Sequence, residues 1–255
     1  MISGEMSVDG RPALVLLHGF TNTGAAWRPV LEHVGERYRA LAPDIRGHGA
    51  AAEREPVTLD AVIADIAALA PPTFVLCGYS MGGRIALHAA LALPERVRAL
   101  VTIGASPGIA DPGQRAARRA ADEALAARIE RMTIEEFAAE WARTPVLGGV
   151  SADIAAAAHA DRLSSTPAGL ARALTGLGTG ALPSLWQRLP ELTMPALFLA
   201  GERDAKFAAI AREMAASAPG ARAQIVPGAG HAAHLEAPAA VAAAIGALPQ
   251  EAAGG

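Results

Sequence analysis

Ser80 stands in Gly78-Tyr79-Ser80-Met81-Gly82-Gly83, where the apolar run Thr73 to Cys77 stops and a helical pattern, Arg84 to Leu91, begins. A serine set between glycines at a tight strand-to-helix turn is held in a strained backbone conformation. Its hydroxyl then lies beside the free N–H groups of the helix N-terminus, which can hold a developing negative charge. A serine hydroxyl is a weak base and a weak nucleophile at neutral pH. It needs one partner to take its proton and a third group to orient that partner. The chain offers both. Asp204 follows the apolar run Ala196 to Ala200 in Gly201-Glu202-Arg203-Asp204, and His231 follows the run Ala223 to Val226 in Gly228-Ala229-Gly230-His231. In a parallel sheet all three fall at strand C-terminal ends along one edge, where open α/β sheets carry their sites. Such a set supports proton transfer or covalent catalysis through Ser80.

Two rivals stand in the same loops. His234 lies three residues after His231, but the Gly-x-Gly-His turn favours His231. Glu202 competes with Asp204 as the orienting carboxylate, with a longer side chain and a position nearer the strand. The remaining histidines, His18, His33, His48, His88 and His159, show no metal-ligand spacing, so no metal site is expected. Lys206 reads as a surface charge.

The elements that must position these residues are legible as alternation. Short apolar runs at Ala13 to Leu17, Tyr38 to Ala42, Thr73 to Cys77, Val97 to Ile103, Ala196 to Ala200 and Ala223 to Val226 are separated by helical patterns. This predicts an α/β fold with a mostly parallel central sheet and helices on both faces. Thr58 caps a helical pattern through Val62, Ile63, Ile66 and Leu69, and Pro71-Pro72 stops it. Between Ile103 and Pro195 the strand signal disappears. Helical segments follow near Gln114 to Arg131, Thr133 to Arg143, Ala152 to Leu163 and Ala168 to Leu177, an inserted helical cap. Thr133-Ile134-Glu135-Glu136 reads as a capping box and Thr166-Pro167 as an N-cap with proline at the first helical position. The expected division is a core of residues 1–107 and 191–255 with the cap at 108–190.

A glycine-flanked serine after a strand, followed in chain order by Asp and His, resembles the α/β-hydrolase fold. His18-Gly19-Phe20 ends the first strong strand and has the form of the loop that donates the second oxyanion N–H in that fold. The backbone amides of Phe20 and Met81 are therefore the expected oxyanion hole, with His18 ordering the loop. Asp44-Ile45-Arg46-Gly47-His48-Gly49 reads as a strand-end turn whose charges are structural.

Composition narrows the class without naming a substrate. The 255 residues, 52% hydrophobic and 18% charged, suit one large compact domain with an insertion and not a disordered chain. A net charge of -3 gives no basic footprint for nucleic acid. The single cysteine, Cys77, forms no internal disulfide, fits a reducing compartment and reads as a core residue of its strand. The N-terminus carries Glu5 and Asp9 with no long apolar stretch after it, so neither a signal peptide nor a membrane span is expected, and the cytoplasm is the default. Ala252 to Gly255 read as a frayed end. No pattern in the sequence sets an oligomeric state.

Nearly the whole chain resembles the 2-succinyl-6-hydroxy-2,4-cyclohexadiene-1-carboxylate synthases of menaquinone biosynthesis. The stretches that carry the resemblance are Gly78 to Arg84, Ser106-Pro107-Gly108-Ile109 with the arginine-rich helix after it, Gly176 to Gly180 with Ser184-Leu185-Trp186, Phe198 to Gly201 with Asp204 and Lys206-Phe207, and Pro227 to His231. The resemblance implies a cofactor-independent lyase acting on a small polycarboxylate, with Ser80, activated by His231 and Asp204, removing a ring proton. It implies substrate-binding roles for Arg84, Arg118 and Arg162 and pocket aromatics at Tyr79 and Trp141. Arginine forks suit carboxylates. The segment Ala110 to Gly113 departs from the family, with Pro112 and Gly113 where more acidic residues are expected.

Spacing alone leaves two other readings open. A serine-dependent carbon–carbon or ester hydrolase would use the same three residues. A non-catalytic ligand-binding protein would have no need of all three.

Overall fold

The computed structural model describes residues 11–144 and 149–248; the two chain ends, read above for a leader and for fraying, lie outside them. Six strands, β1 (Ala13–Leu17), β2 (Arg39–Leu41), β3 (Phe74–Tyr79), β4 (Val97–Ile103), β5 (Ala196–Gly201) and β6 (Arg222–Val226), form one sheet in the order β2-β1-β3-β4-β5-β6. Every neighbouring pair is parallel.

Alternate residues of each strand feed two cores. Ala13, Val15, Leu17, Phe74, Leu76 and Phe198 pack on one face, under α2 (Leu59–Leu69), α3 (Met81–Ala92) and α8 (Ala205–Ser217). Leu14, Leu16, Val75, Cys77 and Val101 pack on the other, under α1 (Arg28–Val34) and α10 (Pro238–Gly246). Burial on both faces is why the strands read as continuous apolar runs. Leu14, Leu16 and Leu17 are wholly buried, each stabilising the fold by about 1.5–3 kcal/mol.

Between β4 and β5 the described residues form four α-helices: α4 (Pro112–Ile129), α5 (Ile134–Trp141), α6 (Ala152–Arg162) and α7 (Pro167–Leu177). Their starts are set locally. Thr133 Oγ1 accepts the Glu136 N–H while Glu136 accepts the Thr133 N–H, and Thr166 Oγ1 accepts the Gly169 N–H. The Ala110 to Gly113 segment opens α4: Asp111 accepts the Gln114 N–H at 2.7 Å and Pro112 takes the first helical position. Ala126, Ile129, Phe137, Leu170 and Leu174 give the insertion its own apolar core, against which Phe20 and Trp141 pack.

The chain runs outward from β1 to β2 and then crosses back to β3 on the other side of β1. The C-terminal ends of β1 and β3 therefore flank a topological switch point, where open α/β sheets place ligands. No helix among the described residues is long and apolar enough to cross a membrane.

Candidate active site

At the end of β3 the chain turns sharply into α3 through Ser80, whose φ of 51° and ψ of -109° lie outside the ordinary regions for an L-residue. Its N–H donates to Ile103 O at 2.8 Å, which anchors the turn to β4. The flanking glycines are steric requirements. A Cβ on Gly82 would collide with the carbonyls of Leu17 and His18, so only glycine lets the start of α3 lie against the end of β1. Met81 is the first residue of α3, so its N–H has no intrahelical acceptor.

The facing loop is ordered by His18. Its Nε2 accepts the Ile45 N–H at 2.9 Å, so Nδ1 carries the proton and donates to Gly19 O at 2.9 Å. Burial holds this imidazole below its ordinary pKa, against opposing effects from the Gly19 carbonyl, Asp44 and Asp161. The loop continues through Phe20 to Thr21, which is buried at φ 70°. Thr21 and Ser80 are the two non-glycine residues with positive φ among those described.

The Asp204 and His231 turns leave β5 and β6, which run side by side with Gly201 opposite Val226. His231 Nδ1 donates to Asp204 Oδ2 at 2.6 Å, which leaves Nε2 free to accept from Ser80 Oγ at 3.3 Å. Asp204 also caps α8, accepting the Phe207 N–H at 3.3 Å. Desolvation alone would raise its pKa. The His231 hydrogen bond and charge, with help from the Phe207 amide and Lys206, outweigh it and hold the carboxyl below its ordinary value. The Phe207 and Tyr79 rings pack on the imidazole, with centroids at 4.8 and 5.4 Å.

Both rivals are engaged elsewhere. Glu202 accepts the Gly228 N–H at 2.8 Å. His234 is wholly buried against Tyr79 and Trp27, and burial, then the neighbouring His231, push it down to about 3, so it is neutral. Asp44 and Arg46 serve the turns: Asp44 accepts the Gly24 and Ala50 N–H groups, and Arg46 makes a two-pronged pair with Asp65.

A cavity of about 100 Å³ opens over Ser80 and His231, lined also by Phe20, Tyr79, Trp141 and Arg162. It shares Asn22, Ala158 and Leu235 with an adjoining cavity of about 510 Å³ between α6 and the start of α1. The Trp141 ring meets Phe20 edge-on at 5.3 Å and packs on Phe137. Arg162, at 2% exposure, reaches only Thr21 Oγ1 (3.3 Å) and Ala138 O (3.5 Å), and among the described residues no carboxylate pairs with it. Burial lowers its pKa, opposed by Asp161.

Arg84 and Arg118 do not line this cavity. Arg84 is buried with Nε unpartnered and is pushed down to about 10 by burial, then by Arg118, with Asp122 opposing. Arg118 is half exposed and pairs with Asp122 at 2.7 Å. Residues that sequence reasoning missed are Thr21, Asn22 and Leu235. A β-branched residue at positive φ has no sequence signal, and the other two reach the site only through tertiary packing.

Residues 14–244 match the model of the alpha/beta hydrolase family. A Bacillus subtilis (strain 168) protein provisionally named 2-succinyl-6-hydroxy-2,4-cyclohexadiene-1-carboxylate synthase is 38% identical over 236 residues, 89% of this chain and 86% of that one. The synthase of that name from Salmonella schwarzengrund is 35% identical over 243 residues, 91% of each chain. The solved structure of MenH from S. aureus superposes with a TM-score of 0.86 at 31% identity, covering 92% of this chain and 91% of that one.

Proposed function

The chain belongs to the alpha/beta hydrolase family and, within it, to the 2-succinyl-6-hydroxy-2,4-cyclohexadiene-1-carboxylate synthases, and from that membership we propose that it is a cofactor-independent lyase. Its reaction eliminates pyruvate from 2-succinyl-5-enolpyruvyl-6-hydroxy-3-cyclohexene-1-carboxylate, a step of menaquinone biosynthesis. One observation carries this reading beyond the shared fold. A buried guanidinium without a carboxylate partner, Arg162, lines the same small cavity as Ser80 and His231. Buried charges are normally paired, so a carboxylate of the ligand completes the site, and a neutral ester would not.

Ser80 Oγ passes its proton to His231 Nε2 as it takes a proton from the substrate ring. The imidazolium is stabilised by Asp204 through Nδ1–H. The electron pair left on the ring delocalises into the succinyl ketone, whose oxygen becomes an oxyanion held by the Phe20 and Met81 amides. Each such donor is worth about 3–4 kcal/mol in the transition state. The enolate then collapses, the ring C–O bond to the enolpyruvyl group breaks, and the departing enolate recovers a proton from the imidazolium by way of Ser80 to leave as pyruvate. No acyl-enzyme forms.

Tyr79, Trp141 and Arg162 bind the reacting ring and one carboxylate. We assign the outer carboxylates to Arg84 and Arg118. The serine cavity is well below the roughly 300–1,000 Å³ of small-molecule sites. Productive binding therefore needs the insertion to shift outward, joining the two cavities and opening a path to Arg84.

The test is pyruvate release from the enolpyruvyl precursor by the purified chain, read through a coupled lactate dehydrogenase assay with chelator present. Wild type is expected to turn over and Ser80→Ala to bind without turnover. No pyruvate above background would end the lyase reading. A stoichiometric burst on small esters, with an acyl group trapped on Ser80, would install a hydrolase in its place.

A further inference from the structure

The turns that bring Asp204 and His231 together arrive from different strands, and the Arg203–Glu236 ion pair helps to join them. Arg203, immediately before Asp204, spreads its guanidinium over three acceptors. Nε donates to Gly228 O at 3.0 Å, Nη1 donates to Gly149 O at 3.2 Å in the helical insertion, and Nη2 pairs with Glu236 Oε2. Its own N–H donates to Ala229 O at 2.9 Å. Glu236 ends the short helix α9 (Ala233–Glu236), and its Oε2 also accepts the N–H of Gly230 at 3.0 Å, the residue just before His231.

Glu236 is an expensive residue in this position. Its side chain is 7% exposed and its Oε1 is buried without a hydrogen-bond partner. An apolar side chain would fill the space at lower cost. Arg203 is 47% exposed, so the pair adds little to global stability. What the carboxylate does provide is a fixed acceptor for Gly230 N–H, tied to the residue beside Asp204.

We propose that Arg203 and Glu236 are a positioning pair, which keeps the His231 imidazole in register with Asp204 and hence with Ser80. The pair touches neither substrate nor reacting atoms. The proposal rests on the assignment of Ser80, Asp204 and His231 as the working set.

The experiment compares Arg203→Met, Arg203→Lys and Glu236→Gln with Arg54→Gln, which breaks an ion pair with Asp65 that has no assigned role in the site. Pyruvate-release kinetics, thermal melting and the low-field proton resonance of the His231 Nδ1–H to Asp204 hydrogen bond are recorded for each. Misplacement on the scale of an ångström costs up to about 10²-fold. Arg203→Met and Glu236→Gln should lose about 10- to 100-fold in kcat, with KM within about threefold, and lose or broaden the resonance. Arg203→Lys should recover part of both, and Arg54→Gln should match wild type.

Wild-type resonance and kcat in Arg203→Met and Glu236→Gln would overturn the proposal. So would a kcat loss that only tracks the unfolded fraction while the resonance stays intact. If Arg203→Met does not fold, the near-isosteric Glu236→Gln, which removes the charge that ties Gly230 to Arg203, decides alone. The resonance needs no substrate. A wild type that releases no pyruvate refutes the lyase reading and leaves the positioning test standing.

Discussion

Replacing Arg162 with Met should move stability and activity in opposite directions, because burial gives this cation a cost that two long hydrogen bonds and the nearby Asp161 charge offset only in part. Its two hydrogen bonds, at 3.3 and 3.5 Å, are long, and together they contribute at most about 1 kcal/mol. Methionine keeps most of the buried stem and removes the desolvated charge, whose effective penalty is several kcal/mol. The free protein should therefore be unchanged or stabilised by up to about 2 kcal/mol, a rise in Tm of as much as about 4–8 °C for a chain of this size.

Binding runs the other way. Truncating one partner of a buried, hydrogen-bonded charge pair costs about 2–5 kcal/mol, which is about 30- to several-thousand-fold in kcat/KM. Thermal melting of the free enzyme and pyruvate-release kinetics measure both sides. Arg162→Lys, which keeps the charge and loses the fork, should fall between. A Tm lowered by more than about 6 °C, with kcat/KM within about threefold of wild type, would mean that Arg162 is a structural residue and that the carboxylate argument is mistaken.

Ser80→Gly relieves the 51° φ and should raise stability by about 1 kcal/mol while lowering pyruvate release at least about 10⁴-fold; an unchanged or lowered Tm counts against strain at this turn. His48 and His234 are both held down to about 3 by burial, so below about pH 6.5 the unfolded chain takes up protons that the folded chain does not. Stability is then full above that pH and falls by about 1.4 kcal/mol per pH unit for each such histidine as the pH drops toward 3. His234→Phe should move the acid-unfolding midpoint, followed by circular dichroism, to lower pH, and a midpoint that stays put or rises speaks against a buried neutral His234. Gly82→Ala pushes a methyl into the Leu17 and His18 carbonyls and should cost more than about 2 kcal/mol in urea unfolding as well as activity; wild-type stability would show that α3 and β1 are not in the close contact described.

The strands were legible because burial on both faces writes uninterrupted apolar runs, and each observed strand falls within two residues of its run. The helix starts at Thr58, Thr133 and Thr166 were legible because a cap is a local arrangement of one side chain and an amide three residues on. Ser80, Asp204 and His231 could be found from turn chemistry at strand ends, and the structure brings them within hydrogen-bonding distance. Other positions had no such signal. Helix α3 is buried from Met81 through Ala90, so periodicity could not tell which way Arg84 points, and it sits within the electrostatic reach of Arg118 and Asp122 instead of lining the serine cavity. The Arg203–Glu236 pair joins residues 33 apart in the chain, and nothing in either neighbourhood predicts it.

Strain, charge and ligand recognition meet in one short stretch. Thr21 and Ser80, the two positive-φ residues other than glycine among those described, follow β1 and β3 on either side of the switch point, and each sits beside an amide assigned to the oxyanion hole. Such conformations persist only where the surroundings over-determine them. Around Ser80 the determinants are internal: Gly82 against β1 and the bond to Ile103. Around Thr21 they include Arg162, whose Nε is bonded to the threonine hydroxyl from the end of α6. The cation that would hold a substrate carboxylate is therefore also bonded to the loop that carries the Phe20 amide. On the proposed assignment, a carboxylate drawn to that guanidinium would compete with Thr21 for its donors, so occupation of the site would be coupled to the aim of the Phe20 amide through the Arg162–Thr21 bond.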